Sequence, residues 1–115
     1  MGDYRRLEAW QLAAQLALEV NRLTRAFPAH ERFGLTSQLR RAAISISSNI
    51  AEGSGRGSPA EFRRFIVIAR GSLHEVASQL FIAHKLGFLP YVDWQRANQH
   101  IDRISRMLLA LTRQS

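Results

Sequence analysis

The side chains with the most chemical promise in this 115-residue chain are a glycine triplet, four histidines and two glutamates. Gly53, Gly55 and Gly57 precede a helix start, where backbone N–H groups could cradle a phosphate. The segment lacks the Gly-Lys-Ser/Thr ending of a P-loop and follows a helical stretch instead of a strand. Its capping signals already use the helix donors, and Glu61 would repel an anion. A tight turn between helices is the better reading. His30, His74, His84 and His100 show no zinc-like spacing with one another or with a carboxylate, and cysteine is absent, so no metal or cofactor is expected. No serine lies in a nucleophile elbow. Glu52 and Glu75 could share acid–base work, but Arg40, Arg41, Arg64 and Arg70 lie on the same two helices and offer ion pairs instead. No catalytic residue is assigned, and no enzyme activity is expected.

Asn49 poses a sharper question, because it falls on the expected core stripe of its helix. A buried amide must find partners, and such residues fix register or oligomeric state. The expected solution is a structural polar cluster joining Asn49 and Glu52 to Arg70 on the following helix.

Four helical patterns must position these groups. In the first, about 4–26, Ala9, Ala13, Leu16, Val20, Leu23 and Phe27 alternate steps of four and three, with Leu7, Trp10, Ala14 and Ala17 alongside. Pro28 ends it, and Phe33 is expected to plug one end of the core before the turn at Gly34. The second, about 35–54, carries Leu35, Leu39, Ala42, Ile46, Asn49 and Gly53. Ile44-Ser-Ile46 alternates as a strand would, but the helical rhythm holds for five turns. Ser58-Pro-Ala-Glu61 is a capping box with proline at the first helical position. It opens a third helix, about 59–86, which stops at Gly87. The core stripe of that helix is Phe62, Phe65, Ile66, Ala69, Leu73, Val76, Leu80 and Ala83. Trp94, Ala97, Ile101, Ile104, Leu108 and Leu111 mark a fourth helix, about 92–113, and the tail Thr112-Arg-Gln-Ser115 is expected to fray. Short connections between helices of similar length predict an all-α, antiparallel up-and-down four-helix bundle in a single domain, 1–115.

The third helix carries a second face of apolar and small residues, Val67, Ile68, Gly71, Ser78 and Ile82, with Arg64 and Glu75 as its charged members. Monomers seldom leave such a surface in water, so it is the expected homo-oligomer interface.

Composition narrows the partners. The chain is 46% hydrophobic and 22% charged, which excludes a disordered segment. Its net charge is +7, with Lys85 the only lysine. That balance favours polyanions such as RNA or DNA. Candidate phosphate contacts are Arg5, Arg6, Arg22, Arg25, Arg56, Arg63, Arg96, Arg103 and Arg106. They are spread along the chain and do not form a run. The start, Met1-Gly-Asp-Tyr-Arg-Arg, has no apolar signal core, and Arg6 stands where a myristoylation motif wants Ser or Thr. No apolar run is expected to reach the roughly 20 residues of a membrane span. A soluble, cytoplasmic protein is expected, with no membrane partner.

Several ordered motifs carry a resemblance: Leu7-Glu-Ala-Trp10, Phe27-Pro28, Glu31-Arg-Phe-Gly-Leu35, Gln38-Leu-Arg-Arg-Ala-Ala-Ile-Ser-Ile46, Asn49-Ile-Ala-Glu-Gly53 and Ala69-Arg-Gly-Ser-Leu73. Together they resemble the bacterial four-helix-bundle family encoded in intervening sequences of 23S ribosomal RNA genes. The accessory proteins of diversity-generating retroelements look like relatives of it. The resemblance implies an antiparallel protomer that assembles into a ring-like homopentamer, with no settled enzyme activity. From the retroelement relatives it implies a basic scaffold that binds a reverse transcriptase and nucleic acid.

Overall fold

The chain enters its first helix later than the expected start near residue 4 and leaves it at Thr24, short of residue 26. In the computed structural model, which describes residues 3–113, the Asp3 carboxylate accepts from the Arg5 backbone N–H at 3.0 Å and from its guanidinium at 2.9 Å. Those side-chain hydrogen bonds, more than any other cause, hold the Asp3 carboxyl below its ordinary value. The contact closes a separate 3₁₀ turn, Tyr4–Arg6, after which Leu7 extends at φ -74° and ψ 123°. Helix α1 therefore spans Glu8–Thr24. Met1, Gly2, Gln114 and Ser115, the first two residues and the end of the tail, lie outside the described residues.

The other three helices are α2, Leu35–Ser54, α3, Pro59–Lys85, and α4, Tyr91–Arg113. No strand occurs among the described residues. Ile44 and Ile46 sit on one helix and part company: Ile46 is fully buried and Ile44 is exposed. Thr112 and Arg113 belong to α4, where the Thr112 hydroxyl donates to the Leu109 carbonyl, so this part of the tail does not fray.

The turns follow their sequence signals. Ser58 Oγ accepts from the Glu61 N–H at 3.1 Å with Pro59 opening α3, while the Glu61 carboxylate reaches Arg64 at 3.4 Å. At the far end Gly87 takes φ 84°, and the Phe88 N–H donates back to the Ala83 carbonyl at 2.9 Å. This Schellman closure satisfies carbonyls that the helix end would otherwise strand. Gly57, at φ 80°, makes the turn between α2 and α3.

The expected core stripes of α1 and α3 are buried throughout, from Ala9 to Phe27 and from Phe62 to Ala83. In α4 the buried residues are Ala97, Ile101, Ile104 and Leu108. In α2 the stripe runs through Ile50, with Asn49 displaced to its half-buried edge. Gly53 decides how closely α2 and α3 approach. A Cβ built there would stand 2.7 Å from Phe65 Cβ and 3.3 Å from the Phe62 carbonyl oxygen. No other residue fits without moving the helices apart.

Phe33 does not plug the core. It is 87% exposed, beneath the Arg32 guanidinium at 5.3 Å. Phe27 and Leu89 close that end instead, with Phe27 against Phe88 at 5.8 Å between ring centroids. They reach the core first because both lie directly beyond a core stripe.

The expectation that no segment reaches the length and apolarity of a membrane span fails for α3. The cause is its two-sided apolarity: one stripe faces the bundle and 39% of the apolar window is buried there, while the other stripe faces outward. The same composition suits the central helix of a bundle.

The bundle measures 43 × 24 × 19 Å. Each helix packs on its neighbours in sequence, and α4 closes against α1. There Glu8 meets Arg103 at 3.1 Å and Glu19 meets His100 at 2.9 Å, in the order that antiparallel helices give.

Candidate functional site

Every residue of the expected interface is exposed in the protomer: Val67, Ile68, Gly71, Glu75, Ser78 and Ile82. The stripe Ile68, Gly71, Glu75, Ser78, Ile82 advances by fours and threes along α3. It lies nearly opposite the core because Gly71 is two residues, or about 200°, from both Ala69 and Leu73. Val67, Ile68 and Ile82 leave 55%, 42% and 45% of their surface in solvent. Sequence reasoning missed three further apolar side chains left about half exposed: Ile44 on α2, Phe81 on α3, whose ring stands 6.1 Å from that of Trp94, and Leu86 at the cap of α3. The signal for Ile44 was available, since it sits two residues from both Ala42 and Ile46.

Beside the patch, α2 and α3 form a groove of about 300 Å³ lined by Gln38, Arg41, Ala42, Ser45 and Glu75. Small side chains allow it. Ser45 Oγ and Ser72 Oγ meet at 2.9 Å across the seam, and the Gln79 amide donates to Gln38 Oε1 at 3.4 Å. Glu75 has no ion-pair or hydrogen-bond partner among the described residues, and neither has the Arg41 side chain. An acid and a base thus stand unpaired at one groove, next to exposed apolar surface.

The expected cluster of Asn49, Glu52 and Arg70 does not form. Asn49 donates to the Ser45 carbonyl at 2.8 Å and to Ser45 Oγ at 3.0 Å, one turn back on its own helix. Glu52 pairs with Arg56 at 2.6 Å, likewise within a turn. Arg70 Nε is buried without a hydrogen-bond partner. Helical geometry explains the failure. Ser72 faces Ser45 beside Asn49, and Arg70, two residues away, points to the far side of α3.

The nine candidate phosphate-binding arginines do not converge on one surface. Antiparallel packing sends Arg5, Arg6, Arg56, Arg63 and Arg106 toward the end that holds the α2–α3 turn. Arg22, Arg25 and Arg96 go toward the opposite end, and Arg103 is held by Glu8 at the start of α1. Several are already neutralised: Arg5 by Asp3, Arg22 by Glu19 at 3.9 Å, Arg56 by Glu52 and Arg96 by Asp93 at 3.8 Å. Arg56 also lies over the Phe65 ring at 5.0 Å, and Arg63 has a partner as well. Arg6, Arg25 and Arg106 are exposed and carry no carboxylate. Among the described residues no group of three or more His, Asp or Glu side chains could hold a metal. The glycine triplet divides its labour, Gly53 serving close packing and Gly57 the turn.

The protein these features define is an all-α, up-and-down four-helix bundle with an apolar outer face on its third helix. The model for the family described as 23S rRNA-intervening sequence protein matches residues 5–110, and the chain belongs to that family. The crystal structure of a protein of unknown function from the S23 ribosomal protein family, from Bacteroides thetaiotaomicron VPI-5482, is similar to it in fold. The TM-score is 0.82 at 17% identity, covering 92% of this chain and 99% of that one. No curated protein sequence matches the chain.

Proposed function

We propose that this protein is a non-enzymatic, homo-oligomeric scaffold whose copies join through the outer face of α3 and the groove beside it. The carrying observation is the stripe of Ile68, Gly71, Ser78 and Ile82, with Val67 beside it, exposed on a helix whose other face is the core. Contiguous apolar surface of this kind marks a contact site. A second copy of the chain is the occupant because the surface carries both an acid and a base, Glu75 and Arg41, so a copy can offer the complement of each. A ring of five copies is what the family resemblance implies.

Gly71→Arg tests this cleanly. A Cβ at Gly71 meets nothing within 4 Å, so the change leaves the protomer's packing alone. Light scattering at micromolar concentration should show a multiple of the protomer mass for the unmodified chain. Gly71→Arg and Ile68→Asp should reduce it toward the protomer while the helical signal persists. A monomeric starting protein, or an unchanged assembly in Gly71→Arg, would remove the proposal.

The unpaired guanidiniums of Arg6, Arg25 and Arg106 support a second reading, in which the scaffold also binds RNA or DNA through phosphates without reading bases. Binding to a single-stranded RNA should then fall steeply with salt. No binding at about 50 mM salt would leave the scaffold reading alone.

A further inference from the structure

The corner between α1 and α2 holds a cavity of about 190 Å³ that the assembly proposal does not use. Arg25, Arg32 and Arg40 all line it, together with Thr24, Thr36 and Phe27, and no carboxylate does. Arg40 is braced: its Nε donates to Thr24 Oγ1 at 2.8 Å, and Thr24, 3% exposed, donates in turn to the Val20 carbonyl at 2.8 Å. Its Nη2 reaches the Asn21 carbonyl at 3.5 Å, which leaves Nη1 unengaged. Arg25 and Arg32 are exposed and have no ion-pair partner among the described residues. The Arg32 guanidinium rests over the exposed Phe33 ring at 5.3 Å and would turn from it to reach an anion. Glu31, the adjacent acid, is turned away, accepting from the Leu35 N–H at 3.0 Å and facing His30 at 3.7 Å.

Three arginines at one concavity concentrate positive charge there, which favours a bound anion. Elsewhere on this molecule arginines are commonly matched by acids, as in Arg5–Asp3, Arg56–Glu52 and Arg103–Glu8. Here no carboxylate lines the concavity, so an anionic ligand would supply the charge that acids supply elsewhere. Guanidinium forks and hydroxyls together suit a tetrahedral oxyanion, which accepts several charge-assisted hydrogen bonds at once. The volume corresponds to about six water molecules at roughly 30 Å³ each, more than a bare ion fills. Phe27 offers the remainder an apolar wall. We propose that this corner binds a phosphate monoester, with Arg25, Arg32 and Arg40 holding the phosphate and Thr24 and Thr36 beside it.

The test is an NMR titration of the amide groups at low salt with three probes: inorganic phosphate, adenosine 5′-monophosphate and adenosine. The monophosphate should shift the amides of Thr24, Arg25, Arg32 and Thr36, inorganic phosphate should shift the same set more weakly, and adenosine should leave them unmoved. Arg25→Gln/Arg32→Gln should weaken the monophosphate by about tenfold or more. Both residues are exposed, so folding should survive, and a thermal melt checks this. Arg6→Gln/Arg106→Gln, which removes as much charge elsewhere, should leave the affinity unchanged. Shifts spread evenly over the arginines of both ends, or an affinity unmoved by the corner variant, would overturn the proposal. So would binding of inorganic phosphate without binding of the monophosphate. The corner lies apart from the α3 stripe, so a monomeric protein would not affect this result.

Discussion

The outer faces of α3 and α4 belong to neighbouring helices of similar length, yet they are written in different alphabets. The outer side of α4 presents Gln95, Arg96, Gln99, Asp102, Arg103 and Arg106, all exposed and all polar. The outer side of α3 presents Val67, Ile68, Gly71, Ser78 and Ile82, exposed to a similar degree and largely apolar. Burial in the bundle needs only one apolar stripe per helix. α4 has one, and α3 has two. Apart from Tyr91 and Val92, exposed at its start, the bundle's own fold accounts for α4's pattern, and it accounts for half of α3's; the other half is the surface that the proposed assembly would use.

Substitutions on the two faces of α3 should separate these roles. The largest effect is expected at Leu73, fully buried in the core. Leu73→Asp leaves an unpaired charge there and should cost more than about 4 kcal/mol, abolishing the cooperative melt. Gly53→Val, at the seam where α3 meets α2, should destabilise by about 1–3 kcal/mol through overpacking against Phe65, read as a lowered denaturant midpoint. On α4, Gln99→Asp should change stability by less than about 0.5 kcal/mol and leave the scattering mass unaltered. If it disrupted assembly as Ile68→Asp is expected to, the contrast between the faces would collapse.

Much of this fold was legible in the sequence. Apolar periodicity marked the buried faces, Ser58-Pro59 and Gly87 marked the boundaries of α3, and the ordered motifs marked the family. Legibility failed where local chemistry competed with periodicity. Residues 4–6 were expected within the first helix, but Asp3 captured Arg5 and closed a separate turn. Phe33 had the size of a core residue, while Phe27 lay nearer the end of a core stripe and took the place. The cluster around Asn49 failed because spacing along a helix fixes direction, and Arg70 points away from the seam. Asn49 and Glu52 satisfied themselves within their own helix, a cheaper solution than reaching across. The cavity at the α1–α2 corner was invisible because its arginines come from three separate segments that only the fold brings together.

The placement of charge at the two ends of a 43 Å bundle has a consequence for how salt acts on it. Beyond a Debye length, about 10 Å at 0.1 M salt, exposed charges scarcely feel each other, so the two basic ends behave as independent sources. Copies set side by side bring basic ends together whichever way they run, since both ends are basic. Added salt relieves that repulsion and also screens the Glu75–Arg41 complement between copies, so an assembly held chiefly by apolar contact changes little, while the same salt loosens any anion held at the α1–α2 corner. One variable then separates the two proposed properties.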